Sequence, residues 1–165
     1  MSTTRSWIQW TVAAAVLLAV GLGLFLRNPN QGSGVRLEGQ VQDSSGERLD
    51  LARFRGQPVV VNAWATWCGP CRRELPLLLE QARAQSKVRF VFLNQGEGPE
   101  AVRAYLEEAR LDMPEPYFDP SSEVIQRWGA QGLPTTYFFD ATGKLVAKHI
   151  GELNKKQLLD YLSLL

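Results

Sequence analysis

An α/β fold, with a central mixed β-sheet flanked by helices, is the class this sequence predicts, and three observations carry the prediction. The run Val59-Val60-Val61-Asn62-Ala63-Trp64 is continuous and β-rich, the composition of a strand covered on both faces. Residues 87–93 repeat that character after one helix-length segment, giving a strand-helix-strand unit. Downstream the order changes to helix, strand-turn-strand, helix, which calls for antiparallel members in the same sheet. The chain has 165 residues, 45% of them hydrophobic, enough for one substantial core.

Residues 1–6 are a short tail. Residues 7–26 contain only Gln9 and Thr11 as clearly polar side chains, and twenty helical residues rise about 30 Å, the thickness of a hydrocarbon layer. They are expected to form a transmembrane anchor with Trp7 and Trp10 near one interface and Arg27 near the other. A cleaved export signal is the alternative, although no small-x-small site follows Leu26. Residues 27–35 read as a linker and 36–165 as the folded domain. With the short tail inside, the domain lies outside the cytoplasm, where thiol oxidation is a standing problem.

The domain opens with a hairpin whose turn is Asp43-Ser44-Ser45-Gly46. Residues 71–86 have helical composition, with Pro76 expected to kink or interrupt them and Leu77, Leu78 and Leu79 covering the sheet. A second helix is expected over 99–109, starting on Pro99. A third, over 121–128, is preceded by the cap-forming groups of Asp119-Pro120-Ser121. Residues 135–140 and 145–150 pair as strands across the turn Ala141-Thr142-Gly143-Lys144. Residues 154–164 close the chain as an amphipathic helix, with Leu158, Leu159 and Leu162 facing the core.

The 18 Lys/Arg and 17 Asp/Glu give a net charge of +1, and the pairs Arg72-Arg73 and Lys155-Lys156 read as solvated helix surface, so no nucleic-acid partner is expected. Chemistry concentrates in Trp64-Ala65-Thr66-Trp67-Cys68-Gly69-Pro70-Cys71, which holds the chain's only two cysteines between a strand and a helix. A ring this small is a weak structural staple, which favours a redox pair. Cys68, at the helix start where backbone N–H groups favour a thiolate, is the expected attacking sulfur, and Cys71, one turn deeper, the resolving one. Gly69 removes bulk beside the attacked sulfur and Pro70 fits an early helical turn. Trp67 covers one side of the pair, whereas Trp64 belongs to the core. Gly132-Leu133-Pro134-Thr135 puts a proline before an apolar strand, so Pro134 begins the strand or occupies a special turn, of which a cis Leu133–Pro134 bond is one form. His149 and Met113 add no credible ligand set to the cysteines, so no metal is expected, and no cofactor beyond a redox-active disulfide.

Together, residues 64–76 and Gly132-Leu133-Pro134-Thr135-Thr136 resemble the thioredoxin superfamily, and most closely its membrane-anchored TlpA/ResA/CcmG (DsbE)-like branch, over essentially all of 36–165. The resemblance implies a thioredoxin-like fold, an exposed Cys68 nucleophile, Cys71 as resolver, and a cis-Pro134 loop that binds substrate peptides with Leu133, Trp67, Gly69 and Pro70. Asn62 stands where cytosolic thioredoxins carry a buried aspartate; it and Trp64 are read as structural or tuning positions. Glu74 looks like an acidic residue that moves a proton or tunes the thiols, the competing reading being a carboxylate at a helix start. Residues 94–120 resemble the branch's central insertion, with Glu97, Glu100, Glu107 and Glu108 read as solvated, the alternative being that they shape a partner surface.

The function so implied is extracytoplasmic thiol:disulfide exchange, in the direction of reducing protein disulfides, with cytochrome c maturation or oxidase assembly as settings. Apocytochrome c or oxidase assembly proteins are the implied substrates and a DsbD/CcdA-like membrane protein the thiol donor. The chain would be a single-pass cell-membrane protein with its domain on the extracytoplasmic or periplasmic side. Disulfide donation by the same cysteines, and a noncatalytic metallochaperone or assembly scaffold, are the alternatives.

Overall fold

Six consecutive buried residues, Val59–Trp64, form the central strand β3, and the two-residue period of its side chains supplies two cores at once. Val60 and Trp64 face one way, into a cluster with Leu75, Leu78, Phe92, Phe138 and Leu158; Val59, Val61 and Ala63 face the other, into a cluster with Leu37, Leu51, Val91, Tyr137 and Trp128. The computed structural model describes residues 34–165, and Gly34–Leu165 form one compact unit. The expected tail, the anchor at 7–26 and residues 27–33 of the linker lie outside the described residues. Among the described residues no helix is long and apolar enough to cross a membrane. Val35, the last residue of the expected linker, already packs against the core, and its carbonyl accepts from Leu145 N at 3.3 Å.

The expected N-terminal hairpin is β1 (Gln40–Gln42) with β2 (Arg48–Asp50), its turn closed by Asp43 Oδ1 accepting from the N–H groups of Ser45 and Glu47. A 3₁₀ turn over Leu51–Phe54, capped by Asp50, leads to β3. Helix α1 (Gly69–Ala84) begins two residues earlier than expected and runs past Pro76 as one element, so the anticipated interruption is absent. Strand β4 (Arg89–Gln95) lies parallel to β3, and α2 (Pro99–Glu108) follows.

Strand β5 (Pro116–Asp119) has no counterpart among the expected elements, which place only the helix over 99–109 within the insertion at 94–120. It is four residues long and starts and ends beside proline, too short for an alternating pattern to register. It pairs parallel with β4 and antiparallel with β1. Helix α3 (Glu123–Arg127) is shorter than expected because Ser122 sits in the left-handed region at φ 57, outside helical geometry. Asp119 nevertheless caps it, accepting from Val124 N at 3.0 Å.

Strands β6 (Thr135–Phe139) and β7 (Leu145–Ile150) form the second hairpin, β6 antiparallel to β3. The seven strands run β2-β1-β5-β4-β3-β6-β7, a mixed sheet with helices on its faces. Helix α4 (Lys155–Leu162) starts on a capping box in which Asn154 and Gln157 satisfy each other's backbone N–H. Leu158 is fully buried and Leu162 packs against the same cluster, but Leu159, one residue round the helix, is 42% exposed and leaves the expected stripe.

Candidate active site

The C-terminal end of β3 delivers the chain into a turn, and α1 begins at once, so Cys68 is its N-cap and Pro70 occupies its first turn, where a missing N–H costs nothing. Cys68 N donates to Ala65 O at 3.2 Å, Arg72 N to Cys68 O at 3.1 Å, and Cys71 N to Cys68 Sγ at 3.3 Å. The two cysteines form a disulfide, with Cα atoms 5.2 Å apart. Cys68 keeps 5% of its surface and Cys71 none. Their order matches the expectation, yet Cys68 is less open than the exposed nucleophile anticipated, because its sulfur is folded back over the helix start onto Cys71. A Cβ added at Gly69 would meet only Arg73 Nη1, at 3.7 Å. The glycine therefore relieves no internal clash; it keeps the outer side of the disulfide free of a side chain.

Glu74, one turn beyond Cys71, is buried rather than a solvated carboxylate at the helix start, with 1% of its surface exposed. Its Oε1 accepts from Asn62 Nδ2 at 2.8 Å and its Oε2 from Leu153 N at 2.8 Å. Asn62 Nδ2 also donates to Thr136 Oγ1 at 2.9 Å, while Asn62 Oδ1 has no partner among the described residues. One carboxylate thereby ties β3, α1, β6 and the loop before α4. Burial pushes its pKa up from the usual 4.5 to about 7; the donors Leu153 N and Asn62 pull the other way, and the nearby Glu152 charge adds to the rise. Arg73 holds the same loop from outside through an ion pair with Glu152 at 2.6 Å.

The Leu133–Pro134 peptide is cis, and Pro134 O accepts from Gly151 N at 2.9 Å. Trp67 is 70% exposed, beside the disulfide in sequence. A cavity of about 460 Å³ joins these two segments, lined by Trp67, Gln95, Gly96, Ile125, Ala130 and Leu133. Trp64, by contrast, is fully buried, 5.9 Å from the Tyr105 ring, as its core assignment required.

Residues 32–165 match the Redoxin family. The chain belongs to that family. It is 33% identical over 124 residues to thiol-disulfide oxidoreductase ResA of Bacillus thuringiensis subsp. konkukian, a match covering 74% of this chain and 71% of the relative. Among solved structures, the pneumococcal exposed lipoprotein thioredoxin (Etrx1) of Streptococcus pneumoniae is 27% identical with a TM-score of 0.65, over 78% of this chain and 99% of that one. A secreted Mycobacterium tuberculosis disulfide oxidoreductase, homologous to E. coli DsbE, shares the fold at TM-score 0.68 and 23% identity, over 79% of this chain and 98% of that one. This Redoxin protein is thus a thioredoxin-superfamily, TlpA/ResA/CcmG-like thiol-disulfide oxidoreductase.

One contact in this Redoxin site escaped the sequence. Glu97, expected to be solvated with Glu100, Glu107 and Glu108, is half-buried: its carboxylate accepts from Thr66 N at 2.8 Å, Thr66 Oγ1 at 2.5 Å and Asn94 Nδ2 at 2.8 Å. The other three are exposed. The only local hint is its position between Gly96 and Gly98, in a turn from which the side chain reaches back to Thr66 after β3. His149 stands near Tyr161 OH and Glu152 O, each at 3.4 Å, and Met113 is in the core. Among the described residues no three His, Cys, Asp or Glu side chains come together as a metal site.

Proposed function

We propose that this protein reduces disulfides in protein substrates on the extracytoplasmic side of a membrane. The observation that carries the reading is the Cys68–Cys71 disulfide at the N-terminus of α1, with Cys71 fully buried and Cys68 retaining 5% of its surface. In the reduced protein the Cys68 thiolate attacks one sulfur of a substrate disulfide; a Cys68–substrate bond forms, the substrate S–S bond breaks, and the other substrate sulfur leaves as a thiolate that takes a proton from solvent. Cys71 loses its proton and attacks Cys68 Sγ, the mixed disulfide breaks, and the second substrate thiol leaves. The substrate gains two electrons and the Cys68–Cys71 disulfide returns, to be reduced by a thiol donor; no cofactor is needed beyond that pair.

Glu74, with a pKa lifted to about 7, is matched to taking up the Cys71 proton near neutrality. Asn62 orients it, and Trp64 holds β3 against Tyr105. Trp67, Gly69, Pro70, Leu133 and Pro134 frame the substrate peptide. The membrane-anchored arrangement, with 7–26 as the span, apocytochrome c or oxidase assembly proteins as substrates and a DsbD/CcdA-like donor, completes the proposal. The exposed lipoprotein from Streptococcus pneumoniae supports the extracytoplasmic placement.

The test is capture in native membranes. Cys71→Ser leaves Cys68 unable to be resolved, so disulfide-linked partners accumulate on non-reducing gels and identify the substrates; Cys68→Ser captures none and has no reductase activity. Normal turnover by Cys68→Ser, or identical captures by both variants, overturns the assignment.

A further inference from the structure

We infer that Glu97 is a positioning residue for disulfide exchange: it latches the loop entering Cys68 to the turn after β4 and so sets the gap into which a substrate peptide fits. The inference rests on the exchange reading above and adds a residue to it.

Thr66 presents two donors from one residue, its backbone N–H and its hydroxyl, to the two oxygens of the Glu97 carboxylate at 2.8 and 2.5 Å. Charge-assisted bonds in such a fork are stronger than neutral ones and fix orientation as well as distance. Asn94 Nδ2 adds a third donor at 2.8 Å, and Asn94 itself is fully buried at the end of β4, opposite Trp64 of β3 in register. The anchor end of the latch is thus core, while the Thr66 end is two residues from Cys68. Each side of the latch continues into a wall of the 460 Å³ cavity: Trp67 follows Thr66, and Gln95 and Gly96 precede Glu97.

The Trp67 wall has little else to hold it. Its side chain is 70% exposed, and Ala65 O, accepting from Cys68 N, is the backbone tether of this turn. Releasing Thr66 therefore lets Trp67 move relative to Gln95 and Gly96 without unfolding β3 or α1. A peptide lying between those walls feels the change. A small disulfide reagent, which needs only Cys68 Sγ, does not.

Glutamine separates latch from charge. In Glu97→Gln the amide oxygen accepts from Thr66 N and Asn94 Nδ2, and the amide nitrogen donates to Thr66 Oγ, which accepts as readily as it donates.

The experiment compares full-length wild type, Glu97→Ala, Glu97→Gln, Thr66→Val and Cys68→Ser in reducing a peptide with one internal disulfide, and in reducing a small aromatic disulfide, with thermal unfolding of each oxidised protein. Glu97→Ala is expected to raise the peptide KM about tenfold, with kcat and the small-reagent rate within twofold of wild type. Glu97→Gln restores the peptide KM, and Thr66→Val, which keeps the backbone bond and loses the hydroxyl bond, shows an intermediate rise. A peptide KM unchanged in Glu97→Ala, an equal loss on both substrates, or no rescue by glutamine overturns the latch; should Glu97→Ala not fold, an unchanged KM in Thr66→Val does the same. Peptide turnover by Cys68→Ser would instead sink the exchange reading itself.

Discussion

Glu74 should make this protein less stable as pH rises through neutrality, against the usual behaviour of carboxylates. In the unfolded chain its carboxyl ionises near 4.5, while in the oxidised fold it holds its proton to about 7. Between those values the native state binds more protons than the unfolded state, so its contribution is fully present below pH 4.5 and lost as pH passes through 7. At about 1.4 kcal/mol per pH unit, ionising the buried group costs on the order of 3 kcal/mol. Solvent screening takes little from this figure, since only 1% of the residue is exposed. The perturbation is Glu74→Gln, which removes the titration and keeps the shape. Urea unfolding of both oxidised proteins in half-unit steps from pH 4 to 9 gives two curves whose difference cancels every other titrating group. Wild type should lose ~3 kcal/mol relative to the variant between about pH 5 and 8. A flat difference, or one rising with pH, would refute the reasoning and place the carboxyl in a polar, ion-stabilising environment.

Three further outcomes follow from contacts outside the cysteine loop. Gly39 has φ +141 and a Cβ there would stand 2.8 Å from Val124 Cγ2, so Gly39→Ala should lower the urea midpoint by the equivalent of about 2 kcal/mol. Asp119→Ala removes the acceptor of Val124 N and Ile125 N and should cost about 1–2 kcal/mol, with raised hydrogen exchange confined to α3. Arg73→Ala breaks an exposed ion pair with Glu152 and should leave the melting temperature unchanged, the buried Glu74–Leu153 bond still holding the loop.

Strands with a continuous apolar run or a turn between them were legible without coordinates, and Val59–Trp64 and Leu145–Ile150 match their expected bounds. The strand over Pro116–Asp119 was not, because its stability comes from two neighbours, β4 and β1, rather than from any pattern of its own. The same distinction runs through the site. Cys68, Gly69, Pro70 and Cys71 announce themselves by adjacency. Glu74 was visible as a candidate, but its burial depends on Leu153, 79 residues away, and on Asn62 from another strand. Glu97 looked like one of four surface acids; only the folded turn brings it to Thr66, 31 residues earlier. Local sequence reports what a residue is able to do, and long-range contacts decide which of several similar residues does it.

Placing β5 between β4 and β1 has a consequence for how the molecule behaves in a crowd. It moves this end of the sheet outward to β2, which is three residues long and offers a neighbour only about 10 Å of open backbone. Arg48 and Asp50 are at its two ends, and Asp50 is already occupied with Gly39 N and Ala52 N. A rim so short and so charged is a poor template for another strand. A thiol-disulfide oxidoreductase that meets disulfide-containing protein chains thereby presents them, along this border, nothing on which to polymerise.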